Sequence, residues 1–170
     1  LMALSSSSSS SSNDEDNTNI PTKRAQALFD ELKEDPQLTP DVINYTTLMN
    51  VYGRHGQPEQ AQAVMEDLLT AYERTKDPRL KPNVQSFTTV LSAWSHYSAN
   101  ANTTETTKKS NNNNNANNNG KQAPEHAEAW LRRMAEYGVQ PNVISYSTVL
   151  DAWAKSPHPE APDRAQAILD

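Results

Sequence analysis

"VISYSTVLDAWAKS", residues 143–156, decides how this chain folds. Nearly the same string stands earlier as "VQSFTTVLSAWSHY" (84–97), and a looser copy stands as "VINYTTLMNVYGRH" (42–55). Counted from the residue before each Val, the units begin at Asp41, Asn83 and Asn142. The second, fifth, eighth, ninth and twelfth positions are apolar or aromatic. In the first unit they are Val42, Tyr45, Leu48, Met49 and Tyr52; in the second, Val84, Phe87, Val90, Leu91 and Trp94. Steps of three and one place all of them on one face of an α-helix. The β-branched content would also suit a strand, but the spacing decides for helix. An enzyme site seldom needs three copies of one segment, whereas a surface built by repetition does.

A second segment alternates with the first: "KRAQALFDEL" (23–32), "EQAQAVMEDL" (59–68), "EHAEAWLRRM" (125–134) and "DRAQAILD" (163–170). Its paired alanines, 25/27, 61/63, 127/129 and 165/167, are expected to let a neighbouring helix approach closely. Pro58, Pro124 and Pro162 suit the first turn of each such helix, where a missing N–H costs nothing. A third element, "LTPD" (38–41), "LKPN" (80–83) or "VQPN" (139–142), separates the units. Its Pro disfavours helix in the residue before it. The Asp or Asn that follows can cap the next helix. The order is one B helix, then an A helix and a B helix three times. A lone hairpin cannot bury its apolar face, so the units should stack.

The low apolar content, 35 %, comes from two tracts. Residues 5–12 are all Ser and are followed by an Asn-rich acidic run; residues 99–122 contain "NNNNNANNNG". Neither offers apolar side chains to offset the entropy of ordering it, so both are expected to be disordered. The net charge is −6, and Asp14, Glu15 and Asp16 in the tail supply half of it. That balance is not the footprint of a non-specific nucleic-acid binder. No cysteine is present, which removes disulfides, thiolate metal sites and a Cys nucleophile. No apolar run reaches membrane-spanning length, and no targeting peptide is visible. The four histidines, His55, His96, His126 and His158, have no metal-ligand spacing and are expected at the surface. No paired carboxylates, Gly-rich phosphate loop or nucleophile motif occurs. No active site, metal, cofactor or small-molecule substrate is expected.

The fold expected is all-α, a right-handed α-solenoid of stacked helix-turn-helix repeats with a disordered tail and insertion. Residues 1–21 form the tail, and 22–40 hold helix B of a partial repeat. Repeat 1 spans 41–82. Repeat 2 spans 83–141, with the Asn-rich insertion at about 99–122. Repeat 3 spans 142–170 and is cut inside helix B.

The Val-x-x-Tyr-x-Thr-Leu pattern, the A-x-A helix and the closing Pro-Asn or Pro-Asp together resemble the pentatricopeptide repeat family. The resemblance covers about 22–98 and 123–170. The tetratricopeptide family also stacks helix pairs, but its Trp-x-x-Leu-Gly-x-x-Tyr signature is absent. The resemblance implies single-stranded RNA binding at about one nucleotide per repeat, in a mitochondrion or plastid. It implies that the sixth residue of each unit and the residue closing that unit read one base together. The pairs are then Thr46 with Asn83 and Thr88 with Asn142, with Ser147 and Asp41 as half-pairs. Thr or Ser with Asn resembles an adenine reader. Val42, Val84 and Val143 map to the side chains that sandwich bases.

The chemistry agrees, since a hydroxyl and an amide together supply the donors and acceptors that a splayed base edge needs. The competing reading makes Thr46, Thr88 and Ser147 ordinary first-turn residues and Asn83 and Asn142 ordinary helix caps; Tyr52, Trp94 and Trp153 are expected in the core rather than stacked on bases. Two other functions compete with RNA binding. One is a helical scaffold for protein partners, which predicts an apolar or strongly charged groove. The other is the RNA-binding arm of a longer RNA-processing enzyme.

Overall fold

The computed structural model describes residues 20–103 and 116–169. They form helices α1 (Ile20–Glu34), α2 (Val42–Arg54), α3 (Pro58–Thr75), α4 (Val84–Thr103), α5 (Ala116–Glu136), α6 (Val143–Lys155) and α7 (Ala161–Leu169), with a 3-10 turn at Pro78–Leu80. Among the described residues there is no strand, as the helical spacing requires. The architecture is all-α, with consecutive hairpins stacked into a helical solenoid.

Helices α2, α4 and α6 are the A helices and pack directly on one another in sequence order. Helices α1, α3, α5 and α7 are the B helices, each packed on a neighbouring A helix. The apolar positions of α2 and α4 form the core, joined on α6 by the later ones, while Val143 and Tyr146 are exposed. Leu48, Met49, Phe87, Val90, Leu91 and Trp94 are buried, as are Val149 and Trp153. Tyr45 packs edge-on against Phe29 of α1, with ring centroids 4.8 Å apart. Phe87, at the same position one unit later, packs against Trp130 of α5 and against Tyr137 just after that helix, each ring centroid 6.1 Å away. Trp94 and Trp153 bury their indole N–H groups with no hydrogen-bond partner among the described residues. Their contribution is volume, as expected of core residues rather than base-stacking ones.

The B helices touch each other through polar side chains instead. Lys33 of α1 pairs with Asp67 of α3 at 2.7 Å. Arg133 of α5 reaches Glu66 of α3 at 3.5 Å. Trp130 donates to Gln62, and Tyr137 to Glu73. Arg164 of α7 lies 3.9 Å from Glu128, whose carboxylate also takes Arg132.

Several expectations need correction. Only the first alanine of each pair faces inward: Ala61 and Ala127 are buried, while Ala27, Ala63, Ala129 and Ala167 are exposed. Residues two apart on a helix point in nearly opposite directions, so both could not pack. Pro58 and Pro162 lie in first turns, but Pro124 lies inside α5, which begins eight residues earlier at Ala116. Helix α1 takes in Ile20 and Pro21, assigned above to the tail. The tract expected to be disordered is helical at both ends, at 99–103 and 116–122. Thr103 simply continues the A-helix hydrogen-bond ladder, which needs no apolar side chains to propagate once nucleated. Residues 1–19 and 104–115, where the rest of the two disorder expectations falls, lie outside the described residues. His126 is half-buried and packs on the core rather than standing free at the surface. Its ring stacks on Trp94 at 4.3 Å, and His158 lies edge-on to Trp153 at 5.8 Å.

Candidate nucleic-acid interface

The closing residues begin the A helices, and each does so as a cap. The Asp41 carboxylate accepts from the N–H groups of Ile43 and Asn44, and Asn44 Oδ1 accepts from the Asp41 N–H. Asn83 Oδ1 accepts from the Ser86 N–H at 2.9 Å, and Ser86 Oγ accepts from the Asn83 N–H at 3.0 Å. Asn142 and Ser145 repeat the arrangement. A short polar side chain at this position satisfies N–H groups that the first helical turn leaves open. The capping role weighed against base reading is therefore real.

Capping leaves part of each side chain unused. With Oδ1 engaged, the Asn83 amide offers its Nδ2 donors, which have no partner among the described residues. Thr46 donates its hydroxyl to the Val42 carbonyl at 2.6 Å, one turn back. That leaves Thr46 Oγ1 to act as an acceptor. Thr46 and Asn83 line one cleft of about 430 Å³ between α2 and α4, together with Val42 and Thr88. Two of the expected readers of the first unit and one of the second thus share one wall-to-wall space. Asn142 and Ser147 are exposed on the far side of α4, and Asp41 is half-buried at the start of α2.

Of the three residues expected to sandwich bases, Val42 lines the cleft. Val42 and Val84 pack against the core. The next residue, Ile43, is 68 % exposed, and Ile144 is 63 % exposed. Ile43 and Gln85 line the cleft directly. Val143 is exposed as well, at 80 %. Ile43, Gln85 and Ile144 form a row that the apolar helical period did not single out, because the period reports the buried face.

Further rows complete the cleft. Asn50 and Ser92 share one register, and Arg54 and His96 another. Lys155 holds the same register on α6, where it is tied to Asp151. Burial opposes ionisation of Asp151, yet hydrogen bonds from Lys155 and Ser95 hold its carboxyl below the ordinary carboxylate value. Arg54 has no carboxylate within ion-pair range among the described residues. At the opposite end, the 3-10 turn carries Arg79. Its guanidinium binds Asp77 and donates to Thr39 Oγ1 at 2.7 Å, joining successive inter-helix loops.

A polar cleft between stacked A helices, with a repeated hydroxyl–amide pair, agrees with the comparisons. The pentatricopeptide repeat domain matches residues 27–96. Over that stretch the chain is similar to pentatricopeptide repeat proteins. A chloroplastic pentatricopeptide repeat-containing protein of Arabidopsis thaliana is 39 % identical to the chain over 49 residues. That stretch is 29 % of this chain and 7 % of the relative. The matched residues take in the second half of α1, the α2–α3 hairpin and most of α4. The remaining helices continue the same order of A and B.

Proposed function

We propose that the chain binds single-stranded RNA along the row of A helices, one nucleotide to a unit. The observation that carries this reading is the cleft shared by Thr46, Asn83 and Thr88. A hydroxyl oxygen with its proton turned away accepts a hydrogen bond, and an amide with its oxygen occupied donates one. Adenine presents one donor and one acceptor on its exposed edge and matches that pair. Guanine reverses the order, so polar groups are left unpaired at roughly 1–3 kcal/mol each. Ile43 and Gln85 would flank the base. Arg54 and His96 lie in the same cleft, where a phosphate can reach them. Phosphate contacts would supply affinity without sequence information. The hydroxyl and amide groups of Thr46, Asn83, Thr88 and Gln85 weigh for this reading against the protein-scaffold alternative, which needs no such groups. The setting we propose is RNA processing, stability or translation in a plastid or mitochondrion. The chloroplastic relative supports that setting. No catalytic role is proposed for this segment.

The test is the Asn83→Asp/Asn142→Asp double variant. Asp41 already caps α2, so Asp at these positions should leave the fold intact. The carboxylate replaces an amide donor with an acceptor. Preference should move from adenine towards guanine at two adjacent nucleotides, measured by anisotropy with labelled oligonucleotides. An unchanged ranking of all sequences would show that these residues are caps alone.

A further inference from the structure

The two reader pairs are wired differently. In the first, Ser86 Oγ donates to the Asn83 main-chain carbonyl at 2.8 Å. It touches neither the Thr46 nor the Asn83 side chain. In the second, Ser145 Oγ donates to the Asn142 side-chain Oδ1 at 3.1 Å. The Ser145 N–H donates to the same oxygen at 3.0 Å. Thr88 Oγ1 lies 3.5 Å from Ser145 Oγ. A serine hydroxyl has one proton, and here it is committed to Asn142. Thr88 is therefore the donor to Ser145. A relay runs from Thr88 through Ser145 to Asn142, across the step from α4 to α6. Ser145 is fully buried, so water does not compete for it.

We infer that Ser145 is a positioning residue that fixes the Asn142 amide relative to Thr88 and sharpens base discrimination in the second unit. This rests on the RNA reading proposed above. With its oxygen held twice, the Asn142 amide cannot flip, and its donors stay towards the base. Thr88 keeps its lone pairs for the base because its proton is spent on Ser145. Asn83 has one side-chain hold in place of two, and Thr46 has no link to it. The second unit therefore discriminates between purines more strongly than the first. One neutral hydrogen bond is the difference, or about fivefold in the ratio of affinities.

The experiment compares the parent chain with Ser145→Ala and Ser86→Ala. Each is titrated with uridine-rich oligonucleotides carrying AA, AG, GA or GG at two adjacent central positions. Both variants delete one fully buried hydroxyl from the same place in a unit, so Ser86→Ala controls for stability. The parent should favour adenine about fivefold more at one of the two positions than at the other. Ser145→Ala should erase that difference, and Ser86→Ala should keep it. Side-chain amide order measured by NMR without RNA should fall for Asn142 in Ser145→Ala only. Equal discrimination at both positions in the parent, or a difference that survives Ser145→Ala, overturns the inference and leaves the RNA reading standing. A parent with no purine preference at either position overturns both.

Discussion

A Cβ placed on Gly53 would stand 2.9 Å from the Cβ of Ala93. Real Cβ atoms do not approach that closely, and neither atom belongs to a flexible side chain. Gly53 thus lets α2 and α4 meet backbone to side chain at one end of the cleft. Gly53→Ala should push the two helices apart and cost about 1–3 kcal/mol, in the range of overpacked cores. Chemical denaturation would measure it. A stability equal to the parent's would mean that the stack yields without strain.

Lys76 ends α3 in the left-handed region, at φ 53°. For an L-residue with a Cβ that conformation costs about 1–2 kcal/mol. Lys76 Nζ sits 5.4 Å from the centre of the Tyr72 ring, an exposed contact returning roughly 0.5–1 kcal/mol. The strain is the larger. Lys76→Gly is expected to raise the melting temperature modestly, and a lower one would reverse that ranking.

Tyr45 should titrate well above an ordinary tyrosine. Burial, and the Asp67 carboxylate beside its hydroxyl, push its pKa up from 10.0 to about 12. A folded pKa above the unfolded value means that the folded state keeps the proton longer. The stability tied to Tyr45 is therefore whole below pH 10 and lost as pH climbs towards 12. Phenolate absorbance combined with denaturation curves would show this slope, and Tyr45→Phe should remove it.

Arg133 and Glu66 offer an asymmetric pair. Arg133 also lies over Trp130, 4.4 Å from the ring centre, whereas the second partner of Glu66 is only a long, exposed hydrogen bond from Gln62 at 3.4 Å. Arg133→Ala should cost more than Glu66→Ala. The coupling between the two, from a double-mutant cycle, should stay below about 1 kcal/mol. Equal single-variant losses would show that the ring contact contributes nothing.

The legible and illegible parts of the sequence divide along physical lines. The A helices could be read because Val42, Tyr45, Leu48 and Tyr52 repeat their buried face three times over. Their starts were fixed by Pro40, Pro82 and Pro141 with the capping Asp or Asn after each. Pro124 misled, since Pro at a first turn is only a preference. The helix around it is set by packing of Ala127, Trp130 and Met134 against α4. The Pro78–Leu80 turn had no period to betray it. The proposed readers Thr46 and Asn83 came from resemblance and could not come from pattern, because a cap and a reader look identical in one dimension. Ser145 was invisible for the same reason. Its role depends on which oxygen its proton faces, and Ser86 carries the same letter with a different partner.

The two rows of helices are not joined alike. Both rows feed one apolar core, but the B helices are laced to one another by Lys33–Asp67, Glu66–Arg133 and similar exposed pairs as well. Such exposed ion pairs are screened as salt rises, whereas apolar contacts are not. The stack is then stiff along one edge and compliant along the other, so it bends without stretching the edge that bears Thr46 and Thr88. RNA has a fixed covalent spacing, and a reading edge of fixed pitch keeps step with it. Added salt should weaken binding through the phosphates while the ranking of bases at each nucleotide holds.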